Sequence, residues 1–277
     1  MLVARRLNIA TRSGLLELVK ATDASEFEAL DRILDNKRSA VLALPHFGHY
    51  MLAVLSIVSR YSPTRDVGLF YGDPTTHRGN QVFDDVHASR FNTPADARIH
   101  VFHANRSGMA DALRLLRGGG LLIMMPDVHL KADETYLVPF LDHAYDVMLG
   151  SAAIARKTES ALIPMLPEPT GALRFKIRFG EPIDAATHLQ GAAASAHHAE
   201  WLDYTATAAL FEQYERWMSG HTLLWQYVRE HFLREAPFVN LSPKALDQIW
   251  PAFFADPRTR SNGEPTPIIL SNPQVEP

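Results

Sequence analysis

The sequence predicts an α/β protein with a mainly parallel central sheet flanked by helices. Three observations lead there. Short, unbroken apolar runs recur at 40–44, 121–125 and 161–166 without the polar alternation of a half-solvated strand, which is the pattern of strands buried on both faces. Stretches of helical spacing stand between the runs, so strand and helix alternate along most of the chain. Polar, chemistry-bearing residues come directly after strands: His46, Tyr71 and Asp127. Open α/β sheets bind their ligands beyond the carboxyl ends of their strands, so these three are expected near one another.

The elements follow in order. Residues 27–34 predict a helix, with Leu30, Ile33 and Leu34 at helical spacing. The first strand, 40–44, runs into Pro45 and His46, and 51–59 then predicts a helix because it lacks alternation. A second strand over 66–70, a helix over 80–89 and a third strand over 99–102 follow. Ser107 is the expected N-cap of a helix over 107–116, which Gly118, Gly119 and Gly120 stop. The fourth strand, 121–125, closes on Pro126 and Asp127. A helix over 150–158, a fifth strand over 161–166 and an alternating sixth over 173–179 precede helices over 196–233. From Asp256 the chain fills with Pro, Asn, Ser and Thr. The expected organisation is one α/β domain over 1–255 and a flexible Pro-rich tail over 256–277.

Composition excludes several chemistries. The 277 residues contain no cysteine, which removes disulfides, thiolate metal sites and a cysteine nucleophile. A net charge of −4 gives no general attraction for nucleic acid or an anionic bilayer. The apolar runs fall well short of the roughly 20 residues of a membrane span. The basic segment 1–7 is not followed by a signal-type apolar stretch, so a cytoplasmic protein without stable membrane insertion is expected. There is no His-Glu-x-x-His, no Gly-x-Ser-x-Gly, and the glycine run precedes a strand instead of following one. No metal or organic cofactor is expected. Asp84, Asp85 and His87 could ligate a metal, but adjacent carboxylates are more often a solvated helix face.

Two residues carry the candidate chemistry. His46 stands between a buried strand and a helix, where an imidazole can take the proton of an attacking hydroxyl or amine. It can equally be a histidine that caps the helix start. Gly48 beside it allows a backbone or ligand to approach closely, and His49, one turn on, faces either substrate or solvent. Asp127 is placed to hold and charge-stabilise an imidazole, or to serve as an ordinary turn carboxylate.

These segments together resemble the lipid A biosynthesis (lauroyl/myristoyl-type) acyltransferases, a branch of the lysophospholipid acyltransferase superfamily. The resemblance rests on Val41 to Tyr50 with its His-Phe-Gly, Asn80 to Arg90, Ser107-Gly108 through Gly119, Met125-Pro126-Asp127, Phe140 to Gly150 and Trp225-Gln226-Tyr227. It runs from about residue 30 to 232. It implies a glycerol-phosphate-acyltransferase-like fold and acyl transfer from a thioester, on acyl carrier protein or coenzyme A, to the hydroxyl or amine of an acceptor. By the same resemblance His46 is the general base, Phe47 and Gly48 supply backbone amides to the oxyanion, and His49, Tyr71 and Arg90 bind substrate.

The chain departs from the family pattern in four places. The family acid that follows its histidine after four residues is Met51 here, and a thioether cannot orient an imidazole. Asp127, the acid of a matching block, is the expected replacement. Tyr71-Gly72 stands where the family has Tyr-Arg, and Leu141-Asp142 where it has Phe-Gly. An N-terminal anchor is not evident, so a soluble small-molecule acceptor is expected. The rival readings are a thioesterase-like hydrolase and a non-catalytic relative that binds acyl carriers.

Overall fold

The computed structural model describes residues 27–36, 39–76, 80, 81, 84, 98–128, 135–170, 175–184, 198–232 and 260–261. In chain order its elements begin with α1 (Phe27–Asn36), β1 (Ala40–Ala43), α2 (Tyr50–Tyr61), β2 (Val67–Tyr71), β3 (Ile99–His103) and α3 (Arg106–Arg117). They continue with β4 (Leu121–Met124), β5 (Thr135–Phe140), β6 (His143–Val147), α4 (Gly150–Thr158), β7 (Ala161–Pro169) and β8 (Phe175–Phe179). The last are α5 (His198–Met218), a 3-10 turn at Thr222–Leu224, α6 (Val228–Phe232) and β9 (Arg260–Ser261). The chain divides into two compact units, one of residues 1–125 and 154–183, the other of 126–153 and 184–277.

The first unit holds a six-stranded sheet in the order β3-β2-β4-β1-β7-β8. Every pairing is parallel except that of β8 against β7, so the predicted sheet is present with one antiparallel edge. Its central strands explain themselves. All four residues of β1 and of β4 are buried, and their aliphatic side chains leave no polar atom to satisfy on either face. The register sets Ala43, Met124 and Phe70 in one row, so β1, β4 and β2 reach the carboxyl edge together. Helix α2 is apolar nearly all round and buries Met51 through Val58, as a helix laid on a sheet must. Helix α1 buries Phe27, Leu30 and Leu34, with Phe27 against Phe179 at 5.5 Å between ring centres. Each such side chain withdrawn from water contributes on the order of 1.5–3 kcal/mol.

The second unit is built on aromatic packing. Strands β5 and β6 form an antiparallel hairpin whose two-residue turn is Leu141 (φ 50°) and Asp142 (φ 60°). Positive φ is costly for a leucine, and the Leu141 N–H is held by a hydrogen bond to Glu215 Oε2 at 3.0 Å. The Phe140 ring meets Phe211 at 5.2 Å and Trp225 at 5.0 Å, both edge to face. Helix α5 buries Trp201, Tyr204, Phe211 and Tyr214, and the Tyr204 hydroxyl donates to Leu137 O at 2.9 Å. Strand β9 pairs antiparallel with Thr135 and Tyr136, so two residues of the expected tail take part in a sheet. The other tail residues lie outside the described residues.

The structure corrects two expectations. The N-cap of α3 is Asn105, not Ser107: its Oδ1 accepts the Gly108 N–H at 2.9 Å, and Ser107 Oγ also donates to it, at 2.8 Å. The helix therefore starts one turn-residue pair earlier, and Gly108 is required because a Cβ there would lie 2.1 Å from His103 O. The hairpin β5–β6 was not foreseen. Pro139 inside the run and a turn without Asn-Gly or Asp-Gly hide it from the usual signals. Of the expected helix 80–89, only residues 80, 81 and 84 are described.

Candidate active site

His46 is placed by the end of β1. Leu44 N–H still bonds to Met124 O at 2.9 Å, and Pro45, which has no N–H, ends the ladder. A tight turn follows: Phe47 N–H donates to Pro45 O at 2.7 Å and Tyr50 N–H to Phe47 O at 3.1 Å. Gly48 takes φ +52°, and a Cβ there would stand 3.3 Å from Pro167 O, so the close backbone approach anticipated for this glycine is real. The bend leaves His46 8% exposed, its ring edge-on to Tyr50 at 4.9 Å.

The backbone donors differ from the expected set. Phe47 is buried and its amide is already used by Pro45, which removes it as an oxyanion donor. The Gly48 and His49 amides, at the start of α2, have no acceptor among the described residues. Orphan amides at a helix N-terminus favour negative charge.

Met51 belongs to the aliphatic core of the first unit, 9% exposed, so the family's acid position is filled by packing. His49 is partly exposed, with its Nδ1 turned inward. Its ring lies 5.7 Å from that of Phe175, its Nδ1 is buried without a hydrogen-bond partner among the described residues, and burial lowers its pKa.

Tyr71 is the last residue of β2, in register with His103, the last of β3. The Tyr71 hydroxyl donates to Asp84 Oδ1, and His103 Nε2 approaches the same oxygen at 3.2 Å. Burial, then the bond to Asp84, pushes the Tyr71 pKa well up, so it stays a hydroxyl donor. Sequence reasoning placed Asp84 in a metal-ligand alternative and passed over His103. The signal was available, since His103 ends its strand as His46 and Tyr71 follow theirs. Arg90, Asp85 and His87 lie outside the described residues. No group of three or more His, Asp or Glu placed to hold a metal occurs among those described.

In the second unit Asp127 is 1% exposed. Its Oδ2 accepts the Trp225 indole N–H at 2.9 Å, and its backbone oxygen accepts the Tyr145 hydroxyl at 2.7 Å. Tyr214 is pushed above its usual pKa by burial and, secondarily, by the Asp127 charge. A buried indole needs an acceptor. Asp127 supplies it, which ties the Pro-Asp block to the Trp block 98 residues later.

Comparison with curated proteins finds none that matches the sequence. The family model for bacterial lipid A biosynthesis acyltransferases matches residues 8–232, most of the chain and all of the blocks above. With a buried strand-end histidine, the parallel sheet that presents it and this match, the chain belongs to the bacterial lipid A biosynthesis acyltransferase family.

Proposed function

We propose that this acyltransferase moves an acyl group from a thioester, on acyl carrier protein or coenzyme A, to a hydroxyl or amine of a small acceptor, with His46 as general base. The observation that carries the reading is the bend after β1: a largely buried imidazole followed by two amides with no acceptor among the described residues. The acceptor's oxygen or nitrogen attacks the thioester carbonyl while His46 takes its proton. The carbonyl oxygen, negative in the tetrahedral intermediate, faces the Gly48 and His49 amides, each such donor being worth about 2.7–4 kcal/mol. The C–S bond then breaks, and the imidazolium returns the proton to the leaving thiolate.

Asp127 is the acid assigned to the reaction, supported by its place in the Pro-Asp block and by its burial. No helix of the described residues is long and apolar enough to cross a membrane. The acceptor in this reading is a soluble molecule met in the cytoplasm, and the reaction uses no metal or organic cofactor. The test pairs an acyl thioester with amines and alcohols against a water blank, followed by mass spectrometry. An ester or amide that His46→Ala no longer forms supports the reading. Release of free acid alone identifies a hydrolase.

A further inference from the structure

The Tyr71–Asp84–His103 cluster is not used in this mechanism, yet it stands on the carboxyl edge of the same sheet. Its hydrogen bonding is one-sided. Two donors converge on Asp84 Oδ1, and no donor to Oδ2 occurs among the described residues. An ionised carboxylate only accepts, so the His103 Nε2–H is the donor in this contact. Nδ1 has no partner among the described residues either. The Asp84 and His103 side chains are 28% and 30% exposed, enough to be reached. Among the described residues, what Asp84 offers a ligand is therefore its second carboxylate oxygen and its negative charge, the Tyr71 hydroxyl and His103 Nε2 both being engaged by Oδ1. A group with several N–H donors and no lone pair, an ammonium, matches that set.

We infer that Asp84, held by Tyr71 and His103, grips a protonated amine of the acceptor while the acceptor's nucleophile reaches His46. The inference rests on the acyl-transfer reading of His46. Adjacent strands lie about 4.8 Å apart, and β4 and β2 separate β1 from β3, so cation and nucleophile are roughly 10–14 Å apart. The acceptor class is thus an extended amine-bearing molecule such as a di- or polyamine.

The test is a titration of the whole protein, without thioester, using spermidine and a neutral diol of matching length. Calorimetry and the ¹⁵N signals of His103 report binding. Saturable spermidine binding that shifts the His103 ring, weakens with added salt and is not given by the diol is the expected result. Asp84→Asn should weaken it about tenfold, the loss of one charge-assisted hydrogen bond, and Asp84→Glu should retain most of it. Absence of spermidine binding to the wild-type protein, or binding by Asp84→Asn as tight as wild type, overturns the inference. If spermidine binds in this way but no thioester transfers to any acceptor, the cation site stands and the acyl-transfer reading falls. If neutral alcohols are acylated with a KM that Asp84→Asn leaves alone and spermidine does not bind, the reverse holds.

Discussion

Two histidines end strands of the same sheet in opposite circumstances. His46 sits in a sequence block whose family resemblance makes it the candidate base, yet the position that follows it after four intervening residues, where the family pattern has an acid, holds Met51 within the core. His103 lies in no recognisable block, yet Asp84 is bonded to its ring. At His103 the carboxylate comes from another segment of the chain. A motif records which backbone bend presents a side chain; the carboxylate that tunes it can come from any segment the fold brings past.

The largest expected effect tests which histidine is the base. His46→Ala should lower kcat by about 10²–10⁴-fold, the usual worth of a general base, with an unchanged circular dichroism spectrum and melting temperature. His103→Ala should instead raise the KM for an amine acceptor and leave kcat nearly intact. A larger kcat loss at His103 than at His46 would transfer the base role to the Asp84 pair.

A second test separates chemistry from support at Asp127. Asp127→Ala leaves the buried Trp225 indole without its acceptor and should cost about 1–3 kcal/mol in urea denaturation. Asp127→Asn retains an acceptor oxygen and should cost less stability. If it nevertheless loses most activity, far more than any change at Met51, Asp127 serves the reaction. If activity follows stability in both variants, it serves Trp225 alone.

Met51→Glu restores an acid to the family position. Because that position is packed among aliphatic side chains, the new carboxyl should be held protonated and cost about 1–3 kcal/mol, read from the denaturation midpoint. An active variant of wild-type stability would show that the core there yields easily.

The smallest effect concerns His49. Its pKa is lowered by burial, so below the ordinary value of 6.5 the unfolded chain binds a proton that the folded chain resists. Stability should fall as pH drops from about 7 to 5. His49→Gln should narrow the difference in melting temperature between those two pH values, and an unchanged difference would place the acid sensitivity elsewhere.

Much of the first unit was legible because its signals are local. The unbroken apolar run before Pro45 reads as a strand with both faces covered, and Gly48 announced a close approach that Pro167 fulfils. The second unit resisted for the same reason turned around. Its hairpin turns through Leu141 and Asp142, residues that do not advertise positive φ, and the turn is held by Glu215, 74 residues away. A pairing at that separation leaves no trace in a local pattern. The N-cap of α3 fell between: Ser107 and Asn105 are both good capping residues, and the choice depended on which oxygen faced Gly108.

By itself the amino-acid order determined the parallel sheet, the bend that presents His46, the lack of any thiol chemistry and the loss of the family acid at Met51, because each is a matter of periodicity, composition or a single position. Only the tertiary structure decided what the polar side chains do. It committed the Phe47 amide to Pro45 and left those of Gly48 and His49 without an acceptor among the described residues, set Asp127 beneath Trp225, and brought Asp84 to the ends of β2 and β3 against Tyr71 and His103. A hydrogen bond is settled by a few tenths of an ångström and an angle between groups that can be a hundred residues apart, and only the folded chain sets those.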